Sequence, residues 1–366
     1  MNTSRLMERF TRYVSCDSES GNEKAFCELI EGELSALGFA VSRQEVGDKC
    51  GSNGWNVYGY LPGEGVPILF SAHMDTVPPG VGIVPVLEEG VIRSKGDTIL
   101  GADDKSGIAA VLEAVEMIKE EGLSHRPIEV LFSICEEMGL LGAKYADYSQ
   151  IKSKEAVVLD NGVVGEMITQ APAKIEVHVE IIGKSAHAAV APSKGISAIK
   201  VAAAAINEIP CGYVEDGAVM NVANLLSPGK SNVVPEKATF DIDMRAFDAD
   251  LLRRLLKDVE KTVKTACEAV GATYTLEVDW QADPLLIPQD SPILKRLTAV
   301  CESLGITPKI EKTYGGSDAT WLFITGGIHA VNTGTGMRDV HSTDEYIALS
   351  DLELVTRLIL NMMRPE

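Results

Sequence analysis

The spacing of apolar residues divides the chain into two kinds of sequence. Residues 22–37 place apolar side chains every three or four positions, which predicts an amphipathic helix that Gly38 ends. Continuous apolar runs such as VPILF (66–70) and IEVLFSIC (128–135) follow, separated by a hairpin-like stretch at 82–93 and by further helical patterns. Continuous apolar strands between helices predict an α/β arrangement in which helices cover a sheet on both faces.

The pattern changes near residue 175. The segments IEVHVEII, FDIDMRAF and TYTLEVDW alternate apolar and polar residues, which is typical of strands with one face in water. Helical patterns at 196–209 and 250–269 lie among them, so this part predicts a smaller α+β domain with an antiparallel sheet. After residue 283 the first pattern returns. The sequence therefore predicts a helix-flanked, mixed-sheet α/β domain (1–172 and 283–366) interrupted by an inserted domain (173–282).

Length, charge and cysteine content limit which classes of protein are compatible with this sequence. A chain of 366 residues is longer than one hydrophobic core usually serves. The formal charge of −20 argues against nucleic-acid binding, which needs a basic face, and the chain contains no apolar run of membrane-spanning length. The opening MNTSRLMERF lacks a signal-peptide core, and seven scattered cysteines without a CxxC motif are typical of reduced thiols. We therefore expect a cytoplasmic protein that does not bind membranes.

Titratable residues follow the predicted apolar strands of the α/β part. They are His73 and Asp75 in SAHMDTV, Asp103 and Asp104 in LGADDKSG, Glu136 and Glu137 after IEVLFSIC, Asp160 after AVVL, and His341 after the strand and loop IHAVNTGTGMRDV. Residues at the carboxyl ends of α/β strands converge on one crevice. Two histidines and several carboxylates in one crevice would suit zinc, manganese or cobalt.

Each of these residues has a simpler interpretation when taken alone. Asp103 or Asp104 would also cap the following helix, and the pair Glu136-Glu137 would also fit a solvated acidic loop. Asp75 would also cap the turn before Pro78-Pro79. Alternatively, because residues two apart on a strand face the same way, its carboxylate can reach the ring of His73 and orient it. The number of strand ends involved favours a shared site.

Eight motifs occur in the order found in peptidase T and its relatives. They are SAHMDTV, LGADDKSG, CEEMG, VLDNG, GKSAHA, SNVVPEKATFDIDMRAFD, YGGSDA and HSTDEYI. Together they span nearly the whole chain. The sequence thus resembles a family of co-catalytic metallopeptidases that also includes carboxypeptidase G, aminoacylase and succinyl-diaminopimelate desuccinylase.

The resemblance implies a role for each matching residue. One metal ion would be held by His73, Asp103 and Asp160, and a second by Asp103, Glu137 and His341, so that Asp103 bridges them. It also implies a cis peptide bond after Asp103. Glu136 would be the general base, with Asp75 supporting His73 in the catalytic machinery. Zinc is the expected metal, and manganese or cobalt would suit the same ligands.

Residues of the inserted domain would bind the substrate. The resemblance assigns that domain to lid and dimerisation roles, and it implies that His187 enters the partner subunit's site in a homodimer. Asn232 and Arg245 match residues that bind polar substrate groups, and Gly316 matches a loop that approaches the substrate. Arg245 has an alternative, because on its alternating strand it would also pair with Asp241 or Asp243.

The expected function is hydrolysis of short peptides, most specifically the release of the N-terminal residue from tripeptides. An N-acyl-amino-acid amidohydrolase or a carboxypeptidase would use the same chemistry, and the sequence offers no obvious place for a free α-amino group. A binding protein that has kept only the fold is a third class. The complete set of ligands together with Glu136 favours an enzyme.

Overall fold

The computed structural model describes residues 1–365, which form two compact units. The first comprises Met1–Thr169, Leu286–Lys312 and the described residues from Gly316 onward; the second comprises Gln170–Leu285 and Thr313–Gly315. The predicted domain boundaries lie between residues 172 and 173 and between residues 282 and 283. In the structure, the chain passes from the first unit to the second between residues 169 and 170, and returns to the first between residues 285 and 286. Within residues 1–365, no helix combines the length and apolar character that crossing a bilayer requires.

The helices and strands follow one another closely along the chain. The α-helices are α1 (Thr3–Val14), α2 (Lys24–Ala36), α3 (Gly47–Cys50), α4 (Ala102–Glu121), α5 (Leu141–Lys144), α6 (Ala198–Glu208), α7 (Ala249–Glu268), α8 (Pro292–Ser303), α9 (Ala319–Ile324) and α10 (Leu349–Met363). The strands are β1 (Ala40–Gln44), β2 (Asn56–Leu61), β3 (Ile68–His73), β4 (Pro85–Glu88), β5 (Val91–Ser94), β6 (Ile128–Ser133), β7 (Glu155–Asn161), β8 (Glu166–Ala171), β9 (Ala173–Ile182), β10 (Gly212–Glu215), β11 (Ala218–Leu226), β12 (Lys237–Ala246), β13 (Thr273–Ala282), β14 (Leu285–Leu286), β15 (Lys309–Lys312), β16 (His329–Gly334), β17 (Met337–Arg338) and β18 (Tyr346–Ala348).

A mixed sheet organises the first unit. Its strand order is β1-β2-β6-β3-β7-β16-β8-β14, with β15 paired to β8. The central strands β6, β3, β7 and β16 run parallel, and every residue of β3 and β6 is buried. Helices α2, α4, α8 and α9 pack on this sheet. Because parallel strands buried on both faces need continuous apolar sequence, these strands coincide with the runs that predicted them.

A second, small sheet in the same unit was not predicted in full. The sequence indicated a hairpin at 82–93, which the structure forms as β4 and β5. It missed the short strands β17 and β18, which extend that hairpin in the order β17-β18-β5-β4. Two- and three-residue strands leave too few alternating positions to be recognised from a pattern.

The second unit contains a five-stranded antiparallel sheet in the order β10-β11-β12-β9-β13. Strands β9 and β12 alternate buried and solvent-facing residues, as the sequence predicts. Helices α6 and α7 pack on one face, where Ala202, Leu252 and Val259 join Val177 and Ile242 in a common core. Strand β13 forms one edge of the sheet and its residues are only partly shielded, because it has a partner strand on one side alone. The observed architecture confirms the predicted fold class.

Candidate metal centre

Four neighbouring strands end at the same edge of the mixed sheet. His73 is the last residue of β3, and Asp160 is next to last in β7. The turn that carries Glu136 and Glu137 follows β6, and the loop that carries His341 follows β16 by way of β17. Parallel strands bring their carboxyl ends to one edge, so segments far apart in sequence meet here.

The acidic first turn of α4 supplies the residue at the middle of the cluster. Asp103 and Asp104 lie in the first turn of α4, but their backbone torsions are not helical, and the peptide bond between them is cis as the resemblance implies. Neither side chain caps the helix, because Asp103 is paired with His73 and both buried carboxylate oxygens of Asp104 lack a hydrogen-bond partner among residues 1–365. The simpler interpretation of these aspartates as helix caps is therefore wrong.

Asp103 directs one carboxylate oxygen towards each of two histidines. Its Oδ1 lies 3.0 Å from His73 Nε2, and its Oδ2 lies 3.2 Å from His341 Nε2. Glu137 Oε1 lies 2.8 Å from the same nitrogen of His341. An aspartate placed this way has the geometry expected of a ligand shared between two cations.

The donor atoms fall into groups suited to a metal ion. In each of three groups, one donor atom from every residue lies within 4.8 Å of the others: His73, Asp103 and Asp160; Asp103, Glu137 and His341; and His73, Glu136 and Glu137. The first two are the sets that the resemblance implies, and they share Asp103. Imidazole and carboxylate donors suit zinc, manganese or cobalt. The residues present therefore fit a pair of divalent ions.

The charges of the cluster also favour cations. Burial raises the pKa of Asp160 and of Glu136, and neighbouring carboxylates raise both further. For Asp103, burial acts in the same direction, but hydrogen bonds with His341 and His73 outweigh it and lower the pKa. Hydrogen bonds to Asp103 and Glu137 raise the pKa of His341 to about 10. So many buried carboxyl groups can all ionise together only beside a positive charge.

The ring of His73 is oriented by a backbone group. Its Nδ1 lies 2.9 Å from the carbonyl oxygen of Asp75, whereas the carboxylate Oδ1 of Asp75 is 3.4 Å away. A carbonyl can only accept, so Nδ1 carries the proton and Nε2 is left free to bind a metal. The carbonyl and the carboxylate of Asp75 therefore both face the same ring nitrogen of His73.

The carboxylate of Asp75 has other partners. It accepts hydrogen bonds from the backbone N–H groups of Glu136 (3.0 Å) and Glu137 (3.2 Å), and from the hydroxyl of Ser20 (2.7 Å). Asp75 is fully buried, which raises its pKa, but the contact with His73 and the bonds from Ser20 and Glu136 outweigh burial and hold the pKa low. It therefore links the strand end that carries His73 to the turn that carries the two glutamates.

The glutamate pair lies on a tight turn. Glu136 is buried and Glu137 is partly exposed, and both line a cavity of about 410 Å³. Asp103, Asp160, His341 and Gly316 line it as well. The interpretation of Glu136-Glu137 as a solvated acidic loop is wrong, because both side chains are largely shielded from water.

Three buried residues near the cluster were not identified from the sequence. The carboxylate of Glu345 accepts bonds from the N–H groups of Leu100 (2.7 Å), Gly101 (2.7 Å) and Asp103 (3.0 Å). Asp318 accepts from the Ser133 hydroxyl, and burial raises its pKa to about 6.

The third of these residues is a lysine. Lys105 is fully buried and donates to the carbonyl of Cys16 over 2.8 Å, and burial lowers its pKa to about 8. Glu345, Asp318 and Lys105 all stand inside the quoted motifs HSTDEYI, YGGSDA and LGADDKSG. Their position inside these motifs is the feature of the sequence by which they could have been identified.

The remaining predicted site residues belong to the second unit. His187 is exposed, and its Nδ1 accepts from the N–H groups of Ala189 (3.2 Å) and Val190 (3.3 Å). This arrangement places the proton of the neutral ring on Nε2, the nitrogen able to donate outwards. Asn232 is also exposed, and its backbone carbonyl accepts a hydrogen bond from the N–H of Ala188.

Arg245 is engaged within its own unit. Its Nε and Nη2 donate to the carboxylate of Asp243 over 2.8 and 3.1 Å, and its Nη1 donates to the carbonyl of Tyr314 over 2.8 Å. Pairing with a neighbouring aspartate was the alternative that the sequence left open for this residue. In this structure the arginine makes that pair.

Comparisons with known proteins agree with the fold and the motifs. Residues 69–364 match the model of peptidase family M20/M25/M40. The chain is 32% identical over 363 residues to the uncharacterized protein YqjE of Bacillus subtilis, covering 98% of each chain. A crystal structure of aminopeptidase PepT from Bacillus cereus superposes with a TM-score of 0.94 at 32% identity, covering 99% of this chain and 98% of that one. A tripeptidase from Staphylococcus aureus superposes with a TM-score of 0.95 at 29% identity, covering 100% and 98%. The chain belongs to peptidase family M20/M25/M40.

Proposed function

We propose that this protein is a metal-dependent aminopeptidase that releases the N-terminal residue of short peptides, tripeptides in particular. Family membership and the similarity to an aminopeptidase PepT and to a tripeptidase support this proposal. The observation that carries it is the geometry of Asp103, whose two oxygens each face a different histidine.

Two divalent ions would be held around that aspartate. His73, Asp103 and Asp160 would hold one, and Asp103, Glu137 and His341 the other. We propose zinc as the native metal, with manganese or cobalt able to replace it, since the donors are imidazoles and carboxylates. When bound, such a pair polarises the scissile carbonyl and lowers the pKa of water from 15.7 towards about 7.

Glu136 would move the protons. Its carboxylate would take one proton from the attacking water as the new C–O bond forms, and would return a proton to the amine nitrogen as the C–N bond breaks. Burial raises the pKa of Glu136, which favours a group that must hold a proton between these two steps. Asp75 would keep the turn in place through the N–H groups of Glu136 and Glu137.

Four further residues would position the substrate. The Nε2–H of His187 would donate to the developing oxyanion, in a homodimer where it serves the partner subunit's site. Asn232 and Arg245 would bind polar groups of the peptide, and the backbone at Gly316 would pass along it. For Arg245 to bind a substrate carboxylate, that carboxylate has to replace Asp243 on the guanidinium fork.

The proposal also covers the domain organisation, the oligomeric state and the cellular location of the protein. The two compact units would correspond to a catalytic domain (1–172 and 283–366) and an inserted lid and dimerisation domain (173–282). Exposed apolar residues of that domain, such as Val190 and Leu226, are available for a homodimer interface. A cytoplasmic location would suit the seven cysteines, none of which forms a disulfide.

A comparison of free and blocked peptides tests the activity. The metal-loaded protein should release the N-terminal residue from a free tripeptide, should leave its N-acetylated form intact, and should lose activity after chelation and regain it with zinc. Cleavage of the acetylated peptide alone would instead identify an N-acyl-amino-acid amidohydrolase. Release of the C-terminal residue would identify a carboxypeptidase. Light scattering tests the dimer, because a fully active monomer is incompatible with His187 acting across an interface.

A further inference from the structure

Glu23 is a fully buried carboxylate that the proposed reaction does not use. It directly precedes α2 and stands in the segment SESGNE (residues 18–23). Its Oε1 accepts from the backbone N–H of Cys135 (3.2 Å), from the Cys135 thiol (3.1 Å) and from the N–H of Gly21 (3.0 Å). Its Oε2 accepts from the Ser52 hydroxyl. Every one of these partners is a donor, so the carboxylate is well satisfied in spite of its burial.

The bond from the N–H of Cys135 completes a regular arrangement on the turn of residues 135–137, which we call the catalytic turn. The N–H groups of Cys135, Glu136 and Glu137 are consecutive along the backbone, and two buried carboxylates accept all three of them. Glu23 takes the first, and Asp75 takes the second and third. Ser20, three residues before Glu23, donates its hydroxyl to Asp75. The segment of residues 18–23 therefore supplies one of the two carboxylates that hold the turn and donates a hydrogen bond to the other.

The backbone of the turn needs this support. Cys135 has φ +52°, a left-handed conformation that residues other than glycine adopt at a cost of about 1 kcal/mol or more. This conformation changes the chain direction between strand β6 and Glu136, so that two adjacent glutamates face one cavity. A bond to the N–H of Cys135 therefore acts on the residue where the direction changes.

The packing around Glu23 leaves little freedom for it to move. A Cβ added at Gly54 would lie 3.2 Å from Glu23 Cβ and 3.3 Å from Ile134 Cγ2. Gly54 thus lies close to both Glu23 and Ile134, the residue that precedes Cys135. Small changes in the length of this side chain should be transmitted to the turn, because a well-packed interior has no room to absorb them.

We propose that Glu23 is a positioning residue that sets the direction of Glu136 and Glu137 by accepting the N–H of Cys135. The inference rests on the proposed function for the roles of the two glutamates. Glu23 itself touches neither substrate nor metal in this scheme. It acts through the backbone, so the reach of its acceptor oxygen should matter more than its charge.

Two substitutions at Glu23 distinguish the effect of side-chain length from the effect of charge. Glu23→Asp keeps the charge but withdraws the oxygen by one methylene, whereas Glu23→Gln keeps an acceptor oxygen at full reach and removes the charge. We expect Glu23→Asp to lower kcat roughly 10- to 100-fold with KM little changed, the range found when groups that support metal ligands are removed. Glu23→Gln should recover most of that loss.

Glu129 provides a matched control in the same unit. It is also fully buried, and it accepts from the N–H groups of Lys152 (2.9 Å) and Ser153 (2.7 Å) and from the Tyr58 hydroxyl. It has no contact with the catalytic turn in these bonds. Glu129→Asp and Glu129→Gln should lower the melting temperature as the Glu23 variants do, while kcat per folded molecule stays within about twofold of the wild type.

A spectroscopic measurement makes the test independent of activity. Cobalt replaces zinc in such sites and its visible absorption reports the geometry of its ligands, one of which would be Glu137. The Co²⁺ spectrum and affinity should change in Glu23→Asp, should return towards the wild type in Glu23→Gln, and should be unaffected by the Glu129 variants.

The outcomes are distinguishable. If Glu23→Gln is more damaging than Glu23→Asp, charge matters more than reach and the inference is overturned; the same holds if both variants keep the wild-type spectrum and kcat. If the wild type binds Co²⁺ but cleaves no peptide, the proposed function fails while the spectral test of Glu23 still stands. A wild type that binds no Co²⁺ overturns both.

Discussion

Two histidine–aspartate pairs in this protein have similar geometry and very different surroundings. In the first unit, His73 and Asp103 approach to 3.0 Å with side chains that are 2% and 9% exposed. In the second unit, His178 and Asp241 approach to 2.6 Å on the open face of the antiparallel sheet, with side chains 47% and 25% exposed. Only the first pair belongs to a group of donors suited to a metal among residues 1–365.

The difference lies in what surrounds each pair. Around His73 and Asp103, burial and further carboxylates make ionisation of the whole group unfavourable without added positive charge. Around His178 and Asp241, water screens the charges, and an exposed ion pair contributes only about 0–1 kcal/mol. The same two residue types therefore form a candidate metal site in one place and an ordinary surface contact in the other. Burial and neighbours decide which.

The largest effect should come from the shared aspartate. Asp103→Ala removes a ligand from both proposed sites, so it should abolish binding of two metals and lower kcat/KM by at least about a thousandfold. Metal analysis of the dialysed protein and peptide assays measure this. Asp241→Ala, its counterpart in the exposed pair, should keep full metal content and activity. Equal effects of the two substitutions would remove the distinction between the pairs.

Glu136→Gln should separate metal binding from proton transfer. The amide keeps the shape of the side chain but cannot accept the proton, so kcat should fall about 10²- to 10⁴-fold while the metal content stays at the wild-type level. His73→Ala, in contrast, should lose metal as well as activity. Unchanged turnover in the glutamine variant would refute the assignment of Glu136 as general base.

Glu345 should have an intermediate effect. Its carboxylate holds the N–H groups of Leu100, Gly101 and Asp103, so Glu345→Ala should loosen the bridging aspartate and weaken metal affinity roughly 10- to 100-fold. Glu345→Gln retains an acceptor and should recover part of the loss. Competition with a chromophoric chelator measures the affinity, and an alanine variant that binds metal as tightly as the wild type would contradict the role.

Measured per pH unit, the smallest of these effects is that of pH on metal affinity. In the metal-free protein, hydrogen bonds to Asp103 and Glu137 raise the pKa of His341 to about 10, above its unfolded value of about 6.5. The stability that its proton contributes is therefore complete below about pH 6.5 and is lost as pH rises through about 10. A metal has to displace that proton, so affinity should fall by up to about tenfold per pH unit on acidification between these values.

Calorimetry in two buffers of different ionisation enthalpy measures the protons released on zinc binding. Release near neutral pH should be reduced in His341→Ala and unchanged in His178→Ala, because His178 belongs to the exposed pair. Equal proton release in the wild type and in His341→Ala would show that this imidazole is not displaced from its carboxylates by metal.

The periodicity of the sequence predicted most of the fold. Continuous apolar runs predicted the buried strands β3 and β6, and strict alternation predicted β9 and β12, because the side-chain period of a strand is fixed by its backbone. The short strands β17 and β18 were missed for lack of length. Four of the residues proposed as ligands stand at or after strand ends, Asp103 lies in the first turn of α4, and the structure brings all five together.

The partners of the polar residues did not follow from the sequence. The two-residue spacing indicated that Asp75 faces His73, but it did not indicate that the same carboxylate binds the N–H groups of Glu136 and Glu137, 61 and 62 positions away in the chain. Glu345 and Glu23 reach across still larger separations to Asp103 and Cys135. No local pattern encodes such contacts, since they depend on which loops the sheet order brings side by side.

The sequence by itself determined which residues can form strands and helices and which side chains can bind a metal, because propensity, periodicity and donor chemistry belong to the residues. The tertiary structure decided how close the candidate donors lie to one another, which nitrogen of His73 is free, and why a buried pair differs from an exposed one. Those properties depend on distance and on the exclusion of water, and both arise only when separate segments pack together.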